Sequence, residues 1–175
     1  MTGDSHTLIE AAGEYLAAGL VLLAVSGKLP NGKFHRHWKE DAIFGVPESA
    51  EDVELLARIF GDESTTGIAV VLPANLLVVD IDGEDGAQAW RRLAERHGFD
   101  LVPDTPITRT GKGLHLWFLD GRERRNGTLI GKMDAKTIDG YVLVPPSRHP
   151  SGAVYEWLTP LVVNGRVAGV DWLPL

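Results

Sequence analysis

The stretch "LLVVDIDGEDG", residues 76–86, ends an apolar run on two acids one residue apart and then turns on glycine. Side chains two apart in a strand point the same way, so a strand over residues 76–82 sets Asp80 and Asp82 side by side on one face. Carboxylates that close repel and raise each other's pKa unless a cation lies between them. The pair reads either as a hard-cation site suited to Mg²⁺ or Mn²⁺, or as two solvated acids closing a strand before a turn. Preceded by "GIAVVLPAN" (67–75), the stretch is the second of two strands joined at a tight "PAN" turn.

Outward from there, the first half mixes helices and strands. "HTLIEAAGEYLAAG" (6–19) predicts a helix: Thr7 and Glu10 fit a capping box, Leu8, Ala12, Tyr15 and Leu16 form a stripe, and Gly19 ends it. "LVLLAV" (20–25) reads as a buried strand and is followed by a basic loop. "PESAEDVELLARIF" (47–60) predicts a second helix, opened by Pro47 and Ser49, with Val53, Leu56 and Phe60 on its buried face. "GAQAWRRLAERHG" (86–98) predicts a third, closed by Gly98. Beyond residue 106 strands dominate, over 107–110, 114–120, 133–138, 141–146 and 153–158, and Asn164–Gly165 marks a final hairpin. The order predicts a single α/β domain over residues 1–175, with a mixed or antiparallel sheet flanked by helices.

At 175 residues, 44% hydrophobic and 23% charged, the chain is long enough to bury a core of its own. With no cysteine, it has neither a disulfide nor a thiolate zinc site. The longest early apolar stretch, "LAAGLVLLAV" (16–25), is too short to cross a bilayer and follows acids rather than a basic leader, so a cytoplasmic, membrane-free protein is expected. The net charge of -7 argues against coating nucleic acid by bulk charge. Base is nonetheless concentrated in "KLPNGKFHRHWK" (28–39) and around Arg109, Lys112, Arg122, Arg124 and Arg125, which suits phosphate binding at one cleft.

Two further clusters carry chemistry. In "TRTGKGLHLWF" (108–118) a Gly-Lys-Gly turn lies between strands, with Arg109 and Lys112 beside it and His115 after it. Glycines let backbone approach a phosphate, and amides with Lys or Arg complement its charge; His115 is then either a phosphate contact or a structural histidine. In "KMDAKTIDGYVLVPPSRHPSG" (132–152), Asp134 and Asp139 are both candidates for a third carboxylate, and Ser147, Arg148 and His149 for phosphate donors. Carboxylates, histidines and a Gly/Lys turn at strand ends suit metal-dependent phosphoryl or nucleotidyl transfer.

In order and spacing these motifs resemble the primase-polymerase (Prim-Pol) domain of the archaeo-eukaryotic primase superfamily, the bacterial, phage and plasmid type, over nearly the whole chain. "GKLPNGKFHRHWKEDAI" (27–43) is similar to its early Lys-Pro and Trp-Lys region, and "VVDIDG" (78–83) to its acidic first motif. "TRTGKGLHLWF" resembles the second motif, with the histidine on His115. "MDAKTIDGYVLVPPSRHPSGAVYEW" (133–157) resembles the third, whose acid falls on Asp134 rather than Asp139. The resemblance implies an RRM-like core and a DNA primase/DNA polymerase working in DNA replication by two metal ions, Mg²⁺ or Mn²⁺. Asp80, Asp82 and Asp134 are the implied ligands, with His115 at the triphosphate. Residue chemistry and resemblance together place nucleotide contacts on Lys28, Arg109, Lys112, Gly113, His115, Lys136, Ser147 and His149.

The implied partners are nucleoside triphosphates, single-stranded or primer-template DNA, and a larger replication protein or helicase. Gly113 stands where many relatives have Ser, Lys136 where they often have Arg, and Asp139 near a usual glycine. Good primers in the family resemble this domain with a helical priming region appended. The chain runs to "GVDWLPL" (169–175) without one, so extension of primers is expected over initiation. Two other readings remain. "VVDIDG" also resembles the nucleophile motif of HAD-type phosphatases, and the same sheet could serve a non-catalytic nucleic-acid-binding module.

Overall fold

Residues 3–174 are described by the computed structural model. The helices are α1 (Gly3–Ala17), α2 (Ala50–Phe60) and α3 (Gly83–His97). The strands are β1 (Val21–Ser26), β2 (Leu29–Pro30), β3 (Gly67–Val71), β4 (Leu76–Asp82), β5 (Ile107–Arg109), β6 (Gly113–Leu119), β7 (Gly127–Thr128), β8 (Met133–Lys136), β9 (Tyr141–Val144), β10 (Glu156–Thr159), β11 (Val162–Val163) and β12 (Arg166–Val167). They form a four-stranded sheet ordered β2-β1-β3-β9, a six-stranded sheet ordered β10-β5-β6-β4-β8-β7, and the β11-β12 hairpin. Every pairing between these strands is antiparallel. The expected single α/β domain is what is observed.

β4 carries no alternation in its apolar run because both of its faces are covered. Leu76 and Val78 enter the main core with α1, α2 and the first sheet, while Leu77, Val79 and Ile81 pack with Ala89 and Trp90 of α3. A third cluster, Leu23, Val25, Ala69, Leu143 and Tyr155, lies on the other face of the first sheet. The face of β4 that begins in the main core therefore ends in Asp80 and Asp82.

Several expectations shift. α1 begins at Gly3, so Thr7 and Glu10 lie inside it rather than at its start. In α2 the capping box is real and belongs to Ser49 and Asp52, but Val53 is exposed; Leu56, Ile59 and Phe60 make the core contact, confined to the later turns. The "PAN" segment does not close a hairpin: β3 and β4 belong to different sheets, so it is a crossover between them. α3 starts three residues earlier than its apolar pattern suggested, directly off β4, and Asp82 is both the last strand residue and the helix N-cap. Its C-cap is Gly98, in the left-handed region as expected. β10 starts at Glu156, leaving Tyr155 ahead of the ladder. The Asn164–Gly165 hairpin is present, with both residues at positive φ as its tight turn requires.

Candidate active site

Register decides which side chains meet. His115 on β6 and Asp134 on β8 both pair directly with Asp80 on β4, one from each side. The row continues to Thr108 beyond His115 and to Thr128 beyond Asp134. Directly opposed residues share a face, so a polar line crosses five neighbouring strands. Asp82 follows Asp80 on that face, opposite Gly113. A Cβ at Gly113 would collide with the Ile81 carbonyl oxygen, which makes glycine the residue this approach requires.

Asp80, Asp82, His115 and Asp134 line a pocket of about 510 Å³ with Lys28, Asp139, Tyr141, Leu143 and Tyr155 on its other walls. Asp80, Asp82 and Asp134 also line an adjoining pocket of about 330 Å³, with Thr128 and Lys132. A separate cavity of about 740 Å³ between Lys33, Phe44 and Arg58 contains none of these acids.

Burial, then the charge of Asp82, pushes Asp80 up to about 6. Asp82 holds an N-cap position but its side chain makes no capping bond, which leaves the carboxylate to the pocket. Asp134 is held below the usual carboxylate range, first by Lys136, whose Nζ donates to Oδ2 at 3.0 Å, and also by the Thr128 hydroxyl. Burial, then the charges of Lys136 and Lys28, pulls His115 down to about 3, so its imidazole is neutral. Its Nε2 lies 3.5 Å from Asp80 Oδ1, and its buried Nδ1 has no hydrogen-bond partner among the described residues.

The three acids share a pocket without converging: among the described residues, no three carboxylates or imidazoles are gathered closely enough to grip an ion as they stand. Their chemistry still suits one, since three hard oxygen donors face one open space and burial, with the neighbouring acids, holds Asp80 back from ionising.

The other expected contact residues divide. Lys28 reaches the pocket across the cleft, its backbone carbonyl accepting from the Tyr141 hydroxyl at 3.3 Å, and Lys136 lines it too. Lys112 sits beside Asp82 in a third, smaller recess. His149 is buried outside the pocket linings, its ring centroid 6.4 Å from that of Tyr155; the Ser151 amide donates to its Nδ1 at 3.1 Å. Arg109 does not join them: it alternates out of the His115 face and pairs with Glu156 at 2.8 Å. The Ser147 hydroxyl is committed to backbone, accepting from Ile68 N–H at 2.8 Å and donating to carbonyl oxygen of Val144 or Ile68. Of the basic loop, Lys33 pairs with Asp62 and Lys39 with Asp139 at 2.6 Å on the rim. Asp139 has φ 66, which explains a glycine preference there.

Tyr155 and Thr128 are the site residues that sequence reasoning missed. Neither stood out, because a threonine in a two-residue strand and a tyrosine just ahead of a strand have no periodic mark. The motif "VVDIDG" sits in antiparallel pairing on both sides, unlike the parallel Rossmann-like sheet a HAD-type phosphatase needs.

Comparison with known families matches residues 12–170 to the model described as bifunctional DNA primase/polymerase, N-terminal. No curated protein matches the chain. Among the described residues, no helix is long and apolar enough to cross a membrane.

Proposed function

The chain belongs to the Prim-Pol family of bifunctional DNA primase/polymerase N-terminal domains, which points to nucleotidyl transfer of the primase/polymerase type, and on that premise we propose that it is a DNA-directed nucleotidyltransferase acting at the Asp80 row. The observation that carries this is the register of His115, Asp80 and Asp134, which brings three separate motifs onto one pocket wall. In the reaction the 3′-oxygen of a DNA-paired strand attacks the α-phosphorus of a nucleoside triphosphate. The bond to the β-phosphate oxygen breaks, and pyrophosphate leaves with that electron pair.

Asp80, Asp82 and Asp134 are the residues that would hold Mg²⁺ or Mn²⁺. Bound there, such ions supply charge neutralisation for the attacking and leaving oxygens. Lys136 keeps Asp134 ionised and adds positive charge to the rim. Lys28 and Lys112 give the triphosphate its positive cover from two sides of the cleft. His115, kept neutral by burial, offers a single N–H rather than a charge, and His149 offers a second imidazole from the facing loop. With a net charge of -7, DNA is gripped locally by this rim, and a larger replication protein supplies further affinity.

The test is primer extension on a templated strand with ribo- and deoxynucleotides in turn, with Mg²⁺, with Mn²⁺ and with EDTA. Incorporation that needs a divalent ion and disappears in Asp134→Ala supports the reading. Release of phosphate from simple monoesters without incorporation would replace it.

A further inference from the structure

The two histidines come from different elements, His115 from β6 and His149 from the loop after β9, and one ring touches both. Tyr155 has its centroid 6.0 Å from that of His115, at 51°, and 6.4 Å from that of His149, at 43°. We propose that Tyr155 is a positioning residue whose ring, on the wall of the carboxylate pocket, seats both imidazoles beside it, so that they meet the same triphosphate. The proposal deepens the nucleotidyltransferase reading and rests on it.

Tyr155 is fixed well enough for this role. It is 6% exposed and packs with Leu23, Val25, Ala69 and Leu143 of the first sheet. Its amide donates to the Ser147 carbonyl at 2.8 Å, and Ser147 is itself bonded to Ile68. The His149 amide donates to the Ala153 carbonyl at 2.7 Å, closing residues 147–155 into a tight loop with His149 on one arm and Tyr155 on the other. A side chain held by packing and backbone bonds orients its neighbours more sharply than one on a free loop.

The histidines complete the argument. His149 Nδ1 accepts the Ser151 amide, so its proton lies on Nε2. Its ring is approached so closely by the 110–113 turn that a Cβ at Gly111 would collide with it. That leaves ring orientation to Ser151, Gly111 and Tyr155. His115 is clasped in the sheet between Thr108 and Asp80, and Tyr155 is its aromatic neighbour. Burial, then Asp80 and Asp82, pushes the Tyr155 hydroxyl up to about 12, so the ring brings no negative charge beside the phosphates.

The experiment compares Tyr155→Phe and Tyr155→Leu in the full chain by nucleotide kinetics, thermal melting and NMR of the histidine ring protons and nitrogens. Tyr155→Leu is expected to raise the nucleotide KM about ten-fold, the equivalent of one charge-assisted hydrogen bond, with a smaller change in kcat. Tyr155→Phe restores the ring and recovers most of that loss. In a His149→Ala background, Tyr155→Leu should add less than its full effect. Ring nitrogen signals of both histidines, which report tautomer and hydrogen bonding rather than the lost ring current, should move in Tyr155→Leu and stay in Tyr155→Phe. Equal losses in the two variants would assign the work to the hydroxyl and overturn the proposal. So would a Tyr155→Leu protein with a lowered Tm, unshifted histidine signals and an unchanged KM. If the wild-type chain transfers no nucleotide, the functional reading falls by itself, while the ring signals still decide whether Tyr155 positions the histidines.

Discussion

His115 Nε2 lies 3.5 Å from Asp80 Oδ1, the two residues paired directly across β6 and β4. The same burial moves them in opposite directions, Asp80 up to about 6 and His115 down to about 3. Near neutral pH a neutral imidazole therefore faces a carboxylate that is costly to ionise. The contact is poised for added positive charge rather than being a settled ion pair.

The pH dependence of stability follows from those directions. Asp80, with its folded pKa raised from 3.8 to about 6, holds a proton in the folded state that the unfolded chain has lost. Its contribution to stability thus falls as pH rises from about 4 through 6, by on the order of 3 kcal/mol. His115, with its pKa lowered, opposes this: its contribution rises with pH up to about 6.5. Asp80→Asn is expected to stabilise the ion-free protein at pH 7–8, with the gain vanishing below about pH 4. Urea melts in EDTA across that range check it. A pH-independent difference between the proteins would mean that Asp80 does not titrate there.

Removing individual acids should separate Asp134 from Asp139. Asp80→Ala or Asp134→Ala should abolish nucleotide incorporation, while Asp139→Ala keeps most of it, since that carboxylate is on the rim with Lys39. Divalent ion at about 100 times its Kd should stabilise the wild type by about 2.7 kcal/mol, and Asp134→Asn by much less. Melting with and without Mn²⁺ reads this independently of activity. Loss of activity in Asp139→Ala with Asp134→Ala spared would reverse the assignment of the third acid.

Gly113→Ser should destabilise the protein. The added Cβ meets the Ile81 carbonyl across the β4–β6 pairing, beside Asp82. A loss of roughly 2–3 kcal/mol, visible as a lowered urea midpoint, is expected for a forced overlap of this kind. Unchanged stability would show that the strand end can open at little cost.

Ser147 and Lys28 should behave as opposites. Ser147→Ala removes the acceptor for the Ile68 amide in a fully buried site and should cost about 1–3 kcal/mol of stability, with nucleotide KM unchanged in the folded fraction. Lys28→Ala should leave Tm nearly untouched and raise KM for the triphosphate. Melting curves paired with KM measurements separate the two.

Much of this site was legible in one dimension because its chemistry is local. Asp80 and Asp82 share a face by strand periodicity alone, and the Gly-Lys-Gly turn before His115 marks a place where strands and ligand come close. Lys33 and Arg109 were less legible. Both sit in basic segments, but one turns to Asp62 and the other alternates away from His115 to Glu156. Composition counts such charges without saying which face they occupy.

The sequence by itself determined the acids, the histidines, the helices and most strands, since these follow from residue type and from periods of two and 3.6 residues. Tertiary structure alone decided that His115 and Asp134 flank Asp80 in register, that "PAN" passes between two sheets, and that Tyr155 touches both histidines. The reason is physical. A strand's own side chains fix its faces, but its neighbours are chosen by burying both faces of β4 at once, a condition that no local stretch of chain contains.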